Sequence, residues 1–313
     1  MVGRTLCAPT ESTLMKLLAI RLSAFGDVVH TIPAVVALRD LGHEIVWVVE
    51  RPYRDLVAVV ARVDTITVSM KEWGRGFMSK RGEMFAARAA MRGFDAAVDF
   101  QGLIKSASLA WVSRAKLRYG FGRGAIRETA AGVFLNRRID VDRTAHVVEQ
   151  NLELARAVDP HAQMPRVDFS HYADDPSGKL RDLAGRVVLL PGAGKPDKQW
   201  NKFPELARVI GKDAIVAWGP GERELAESIG ADVAPQTSLR ELAWLLQHAR
   251  LVIGGDTGPL HLAAALGTRV VGIYGPTNPL RNGPYGQLEN VVESWSTSKS
   301  MDTIDVEAVV RKL

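Results

Sequence analysis

Cysteine is almost absent. Cys7 is the single one in 313 residues, so no disulfide within the chain can staple the fold, and a reducing compartment is favoured. Long hydrophobic runs are absent as well. None reaches the ~18 residues of a membrane span, and residues 1–14 lack the apolar core of a signal peptide. Aromatic residues make up only 7% and do not alternate with basic ones, which speaks against a surface that stacks nucleic-acid bases. The first strand-to-helix turn has no GxGxxG, which argues against a dinucleotide fold of the dehydrogenase type. Nothing in the sequence calls for a cofactor.

The rest of the composition, 47% apolar and 24% charged, is that of a soluble globular protein. The length suggests two domains of ordinary size. Charge is uneven: residues 1–165 hold 23 Lys+Arg against 17 Asp+Glu, and residues 71–138 hold 14 against 5. Such a stretch is either a solvated basic face or a surface that meets something anionic.

One stretch organises the chain. Leu251-Val252-Ile253 ends in two glycines, Asp256-Thr257-Gly258 leads into a helix predicted over Pro259–Leu266, and a second apolar run covers Arg269–Tyr274. This is a strand, turn, helix, strand unit of the parallel α/β kind. Pro259 suits a first helical turn, and Asp256 or Thr257 can cap it. A small-residue turn feeding a helix N-terminus is an anion site in waiting, and His261 falls in the first turn of that helix. Two earlier strands of the same half also end in glycine-rich turns, 191–194 and 219–221. Three such turns at one sheet edge suit a nucleotide, with Lys198 as a point charge for a diphosphate and Glu222 as an acceptor for ribose hydroxyls. Each of these residues taken singly is more often plain surface or a helix start.

In the first half, Lys16–Leu22 reads as a buried strand and Ser23–Asp27 as the loop at its C-terminal end, with a helix over Val28–Leu41. Open α/β sheets bind ligands at that edge, so Asp27 is either a helix cap or a group placed for chemistry. Further strands are predicted over Glu44–Val49, Thr65–Val68 and Asp95–Phe100. Residues 71–92 are expected to form a basic loop and helix, and Arg114–Arg138 a surface loop plus helix. A linker is expected near Pro160–Pro165. The domains would then be 15–165 and 166–313 after an unstructured leader over 1–14. The last helix, Asp302–Leu313, is a candidate to pack back on the first domain.

The motifs FGDVVHTIPAV, DFQGLIKSA, PDKQW and GGDTGPLHLAAALG…YGPTNP, in matching order and spacing from Met15 to Gly286, resemble the lipopolysaccharide heptosyltransferases, glycosyltransferase family nine. The resemblance implies an α/β fold of GT-B type, two Rossmann-like domains facing a cleft, and an inverting, metal-independent transfer from ADP-heptose. DFQGLIKSA and the KEWGRGF segment are most similar to members that add the first heptose to Kdo-lipid A; a heptosylated core acceptor is the alternative. By motif, Asp27 corresponds to the family's catalytic base, Lys198 to its diphosphate-binding lysine and Glu222 to its ribose-binding acid, with Glu224 also in range. Asp256, Thr257, Gly258 and His261 correspond to the donor-phosphate loop and helix, and Thr237 to a position lining the adenine pocket. Where members often carry Thr-Thr, this chain has Ala193-Gly194, so contacts there fall to backbone N–H groups. Lys71, Arg75, Lys105, Arg127 and Arg137 are candidates for the anionic groups of the acceptor. The expected setting is cytoplasmic, as a monomer peripherally bound to the inner membrane, without nucleic acid. A nucleotide-sugar epimerase of similar architecture and a basic nucleic-acid-binding module are the readings from other classes.

Overall fold

The computed structural model describes residues 13–70 and 81–313. Lys71, Arg75 and nearly all of the expected leader lie outside the described residues. In the first half, β1 (Lys16–Ile20), β2 (Glu44–Glu50), β3 (Asp64–Val68), β4 (Ala96–Asp99), β5 (Leu117–Phe121) and β6 (Arg137–Ile139) pair in the order β3-β2-β1-β4-β5-β6. In the second, β7 (Val187–Leu190), β8 (Ala214–Val216), β9 (Asp232–Val233), β10 (Leu251–Gly255), β11 (Val270–Tyr274) and β12 (Val291–Glu293) pair as β12-β11-β10-β7-β8-β9. All the pairings are parallel. Counted from its own first strand, each sheet has the doubly wound order 3-2-1-4-5-6. In such a sheet the crevice opens where the winding reverses, beside the first and fourth strands. That singles out the loops after β1 and β4 in one half, and after β7 and β10 in the other.

Continuous apolar strands such as LLAI, VVLL and LVIGG are buried on both faces, as parallel sheets require. Among the described residues, the α-helices of five or more residues are α1 (Phe25–Asp40), α2 (Arg81–Ala90), α3 (Ile104–Val112), α4 (Val147–Val158), α5 (Phe203–Ile210), α6 (Arg223–Ser228), α7 (Leu239–Gln247), α8 (Gly258–Ala265) and α9 (Val306–Val310). Helix α1 packs against α4 of its own half and against α8 of the other. One buried cluster runs from Val28, Ile32 and Val35 through Leu152 to Leu260, Leu262 and Ala263, so the halves share a core. Close approach at that junction depends on two glycines. A Cβ on Gly26 would stand 2.6 Å from His261 Cδ2, and one on Gly258 2.3 Å from Phe25 Cδ1.

Three expectations are corrected. Helix α1 starts at Phe25 rather than Val28, so Asp27 sits in its first turn and not in the preceding loop. Residues 114–138 hold β5, β6 and a 3-10 stretch, Thr129–Phe134, in place of a loop and helix. β6 is an outer strand reading RRI, and Arg118 on β5 donates to the carbonyls of Phe134 and Ala115, so neither strand has the apolar run that marks the inner ones. The chain's last helix does not return to the first half: Val306 and Val309 join Phe203 and Leu206 of α5 in the second half's core. Trp200 fixes the approach by donating from Nε1 to the Ile304 carbonyl at 3.0 Å.

Candidate functional site

A cleft of about 930 Å³ runs between the two sheets' carboxyl edges, at the large end for a small-molecule site. Its first-half wall comes from Ala24–Asp27, His30, Tyr53 and Arg127, and its second-half wall from the three glycine-rich turns.

Asp27 lies on the first-half wall and is 13% exposed. Its Oδ2 lies 2.6 Å from Nη2 of Arg21, and Arg127 Nη2 reaches both carboxylate oxygens at 3.1 Å. Arg21 is itself buried, held at the end of β1 by donating from Nη1 to the Phe100 carbonyl. Burial pushes the Asp27 carboxyl up, but the charges of the close Arg21 and Arg127 guanidiniums, with the Ala24 amide, outweigh it, and the carboxyl lies below its usual range. Asp27 is therefore an ionised carboxylate facing open space. Arg127 is half exposed and Arg21 is not, so only Arg127 can turn toward a ligand without unpacking the core.

Opposite stands a second linked set. Lys198 Nζ meets Asp256 Oδ2 at 2.6 Å, and His261 Nε2 meets Asp256 Oδ1 at 3.1 Å. Burial again works against the charged carboxylate, yet the hydrogen bonds and charges of His261 and Lys198 bring Asp256 down to about 2. The Asp256 side chain is thus spent on orienting Lys198 and His261. It does not cap α8, and Thr257, the N-cap residue, makes no side-chain cap bond either. The first amides of α8 are left facing the cleft with the positive end of the helix dipole. A cation and open backbone donors side by side suit an anionic group.

The other end of this wall is shaped by the turns after β7 and β8. Glu222 Oε2 accepts from the Gly219 amide at 2.8 Å, which fixes the carboxylate over Gly192. Ala217, Trp218, Leu239 and Leu242 line the same end, an apolar slot that suits a flat base.

Of the donor-side residues singled out in the sequence, Ala193, Gly194, Lys198, Glu222, Asp256, Thr257, Gly258 and His261 line this one cleft with Asp27. Thr237 is not among the lining residues; Leu239 and Leu242 stand there instead, since the chain enters α7 two residues later. Glu224 is exposed on α6, away from the lining. Of the basic candidates, Arg127 lines the cleft, whereas Lys105 lies on α3 and Arg137 on the outer strand β6, outside it. Arg21 was overlooked, although a charged residue at the end of an otherwise apolar strand is a signal. His30 was overlooked too. It lines the cleft, its ring stands 4.3 Å from that of His261, and neither ring nitrogen has a protein partner. Burial, then the neighbouring His261 and His146, pushes it well below the usual histidine range, so it stays neutral. Among the described residues no cluster of three or more His, Cys, Asp or Glu side chains is arranged to hold a metal.

Residues 85–309 match the family described as Glycosyltransferase family 9 (heptosyltransferase). The chain is 30% identical to Lipopolysaccharide heptosyltransferase 1 of Salmonella typhimurium over 96% of its own length and 100% of that protein. It is 33% identical to the Pseudomonas aeruginosa protein of the same name, over 88% of this chain and 82% of that one. Among solved structures it is similar to E. coli heptosyltransferase WaaC with ADP, at a TM-score of 0.80 and 28% identity over 95% of this chain and 98% of that one. The same enzyme with ADP-2-deoxy-2-fluoro heptose superposes at 0.78, with the same identity and coverage.

Proposed function

The chain belongs to glycosyltransferase family 9, the heptosyltransferases, and from that premise we propose that it moves heptose from ADP-heptose to the Kdo region of lipid A in inner-core synthesis, as a heptosyltransferase I. The GT-B architecture supplies the frame: the second half, 166–313, holds the donor and the first, 15–165, the acceptor. The observation that carries the reading is the confrontation of Asp27 with Lys198, Asp256 and the N-terminus of α8 across one cleft. The complexed forms of the WaaC relative, one with ADP and one with a fluoro-heptose donor analogue, support the choice of donor.

In this reading the adenine lies along Trp218, Leu239 and Leu242, and the ribose against Glu222. Lys198 and the open amides at Thr257-Gly258 receive the diphosphate. As the bond from the anomeric carbon to the phosphate oxygen breaks, these groups meet the charge that develops on the leaving ADP. Asp27 takes the proton of the acceptor hydroxyl while that oxygen attacks from the opposite face, and the anomeric configuration inverts. With both guanidiniums in place Asp27 is a weak base. Arg127, turning to an anionic group of the acceptor, would leave Asp27 more basic at the moment it is needed. No metal is invoked, because Lys198 and the helix supply the positive charge. No helix among the described residues is long and apolar enough to cross a membrane; the protein meets its lipid acceptor as a peripheral, cytoplasmic monomer.

The test is ADP release from ADP-heptose with de-acylated Kdo-lipid A or with a heptosylated core as acceptor. Release that depends on the Kdo acceptor is expected. Release only with the heptosylated core would move the protein to the second transferase, and release with no acceptor would point to hydrolysis or epimerisation.

A further inference from the structure

On the face of the first sheet opposite α1 and α4, three elements lie side by side: α2, α3 and the 3-10 stretch Thr129–Phe134. Their inner residues Ala87, Met91, Ala107, Ala110, Ala131 and Leu135 form one core cluster with Leu18, Ile20 and Val48. Their outer residues are unusual. Phe85 is 75% exposed, Ile104 45%, Trp111 57% and Val133 79%, so four of the largest exposed apolar side chains share one layer. Ile104 and Trp111 are seven residues apart, hence on one stripe of α3, and Trp111 meets Phe134 edge-on at 6.4 Å. Around them Arg88, Arg114 and Lys116 are exposed, in a segment, 81–138, with 11 Lys+Arg against 4 Asp+Glu, one of which, Asp99, is buried.

This layer is joined to the cleft. The Glu128 amide donates to the Gly102 carbonyl at 3.0 Å, the Ile104 amide to the Glu128 carboxylate at 2.6 Å, and the adjacent Arg127 reaches Asp27. The stripe on α3 therefore starts at the cleft rim and runs about 10 Å outward.

We infer that the outer face of α2, α3 and residues 129–134 docks on an anionic phospholipid bilayer. Apolar side chains set among cations, with Trp at the boundary, suit the region between headgroups and acyl chains, and the excess of cations selects anionic lipid. Seated so, the protein presents the Arg127 end of the cleft to the membrane surface. A lipid-borne acceptor could offer its polar head to Asp27 while its acyl chains stay in the bilayer. This deepens the peripheral-membrane part of the functional reading, but its test requires no transfer reaction.

The full chain is sedimented with vesicles of phosphatidylglycerol and phosphatidylethanolamine, or of phosphatidylcholine alone, beside Phe85→Ser/Trp111→Ser/Val133→Ser and Arg88→Glu/Arg114→Glu/Lys116→Glu. The wild type is expected to bind the anionic vesicles in a salt-sensitive manner, and each triple variant at least about tenfold more weakly. Far-UV circular dichroism and the urea midpoint should be equal in all three, which shows that the variants are folded. No vesicle binding by the wild type, equal binding by the variants, or indifference to lipid charge would overturn the inference. So would a wild-type dimer in light scattering that the apolar variant dissociates, since the face would then bind a second copy.

Discussion

Removing the Arg21 side chain as Arg21→Met tests how Asp27 is held. Arg21 is 2% exposed and its pair with Asp27 closes at 2.6 Å, so the variant strands a carboxylate in a site built for a cation. Breaking a buried pair by removing one partner costs ~3–5 kcal/mol. Arg127 remains at 3.1 Å, and we expect the lower end, about 3 kcal/mol by the same rule, from urea denaturation at pH 7. The pH dependence has a definite sign. In the wild type the folded Asp27 carboxyl lies below its unfolded value, so its contribution is present above the usual carboxylate range and lost as pH falls through the folded value. Without Arg21 the desolvation of Asp27 gains weight and its carboxyl rises. The stability difference between wild type and variant should therefore be largest near neutrality and shrink in acid, and the acid limb of kcat/KM should move to higher pH. Arg21→Lys, which keeps the charge, should leave that limb near its wild-type place. In a double-mutant cycle, Arg21→Met with Asp27→Asn should cost less than the sum of the two. A folded Arg21→Met protein with unchanged stability and an unmoved acid limb would refute the reasoning.

Asp256→Asn should lose roughly 2 kcal/mol of stability at pH 7, since a carboxyl brought to about 2 contributes about 1.4 kcal/mol per unit of depression. That deficit, followed by chemical denaturation, should vanish as pH falls from about 4 toward the folded value. In Gly192→Ala the new Cβ would stand 2.3 Å and 2.4 Å from the Glu222 carboxylate oxygens. Glu222 must swing out, and calorimetry should find ADP bound about 10-fold more weakly, the loss of one charge-assisted hydrogen bond. Gly258→Ala drives a methyl into Phe25 across the junction of the halves and should cost ~1–3 kcal/mol by overpacking. Adding Phe25→Ala should recover part of the lost stability in urea denaturation; if it does not, the contact is not what fixes the junction.

How much of this was legible depended on local signals. The run from Leu251 to Tyr274 announces its own strand, glycine turn and helix, and α8 begins one residue from its predicted start, because glycine and proline act on their own neighbours. The strands β5 and β6 were hidden because LRYGF and RRI carry charges: β6 is the sheet's edge, and Arg118 of β5 is met by the carbonyls of Phe134 and Ala115. Asp27 was placed beside the right strand but in the wrong element. Ala24, the N-cap, is not a capping residue type, and its side chain makes no cap bond, so nothing marked the helix as starting early. Arg21, and the pairing of Asp256 with Lys198, 58 residues apart, depend on how strand ends of one sheet sit side by side, and His30 beside His261 on how the two halves meet; no spacing along the chain encodes either. The same holds for the base slot, where Leu239 and Leu242 of α7 look like ordinary core residues until β8 brings Trp218 beside them.

The most direct test of the central claim is the rate of acceptor-dependent ADP release by Asp27→Asn, measured with ADP affinity by calorimetry on the same sample. The account predicts a rate ~10²–10⁴-fold lower with ADP binding unchanged, because the nucleotide lies against the other half. A variant that releases ADP at the wild-type rate would contradict it, and Asp27 would then not be the base.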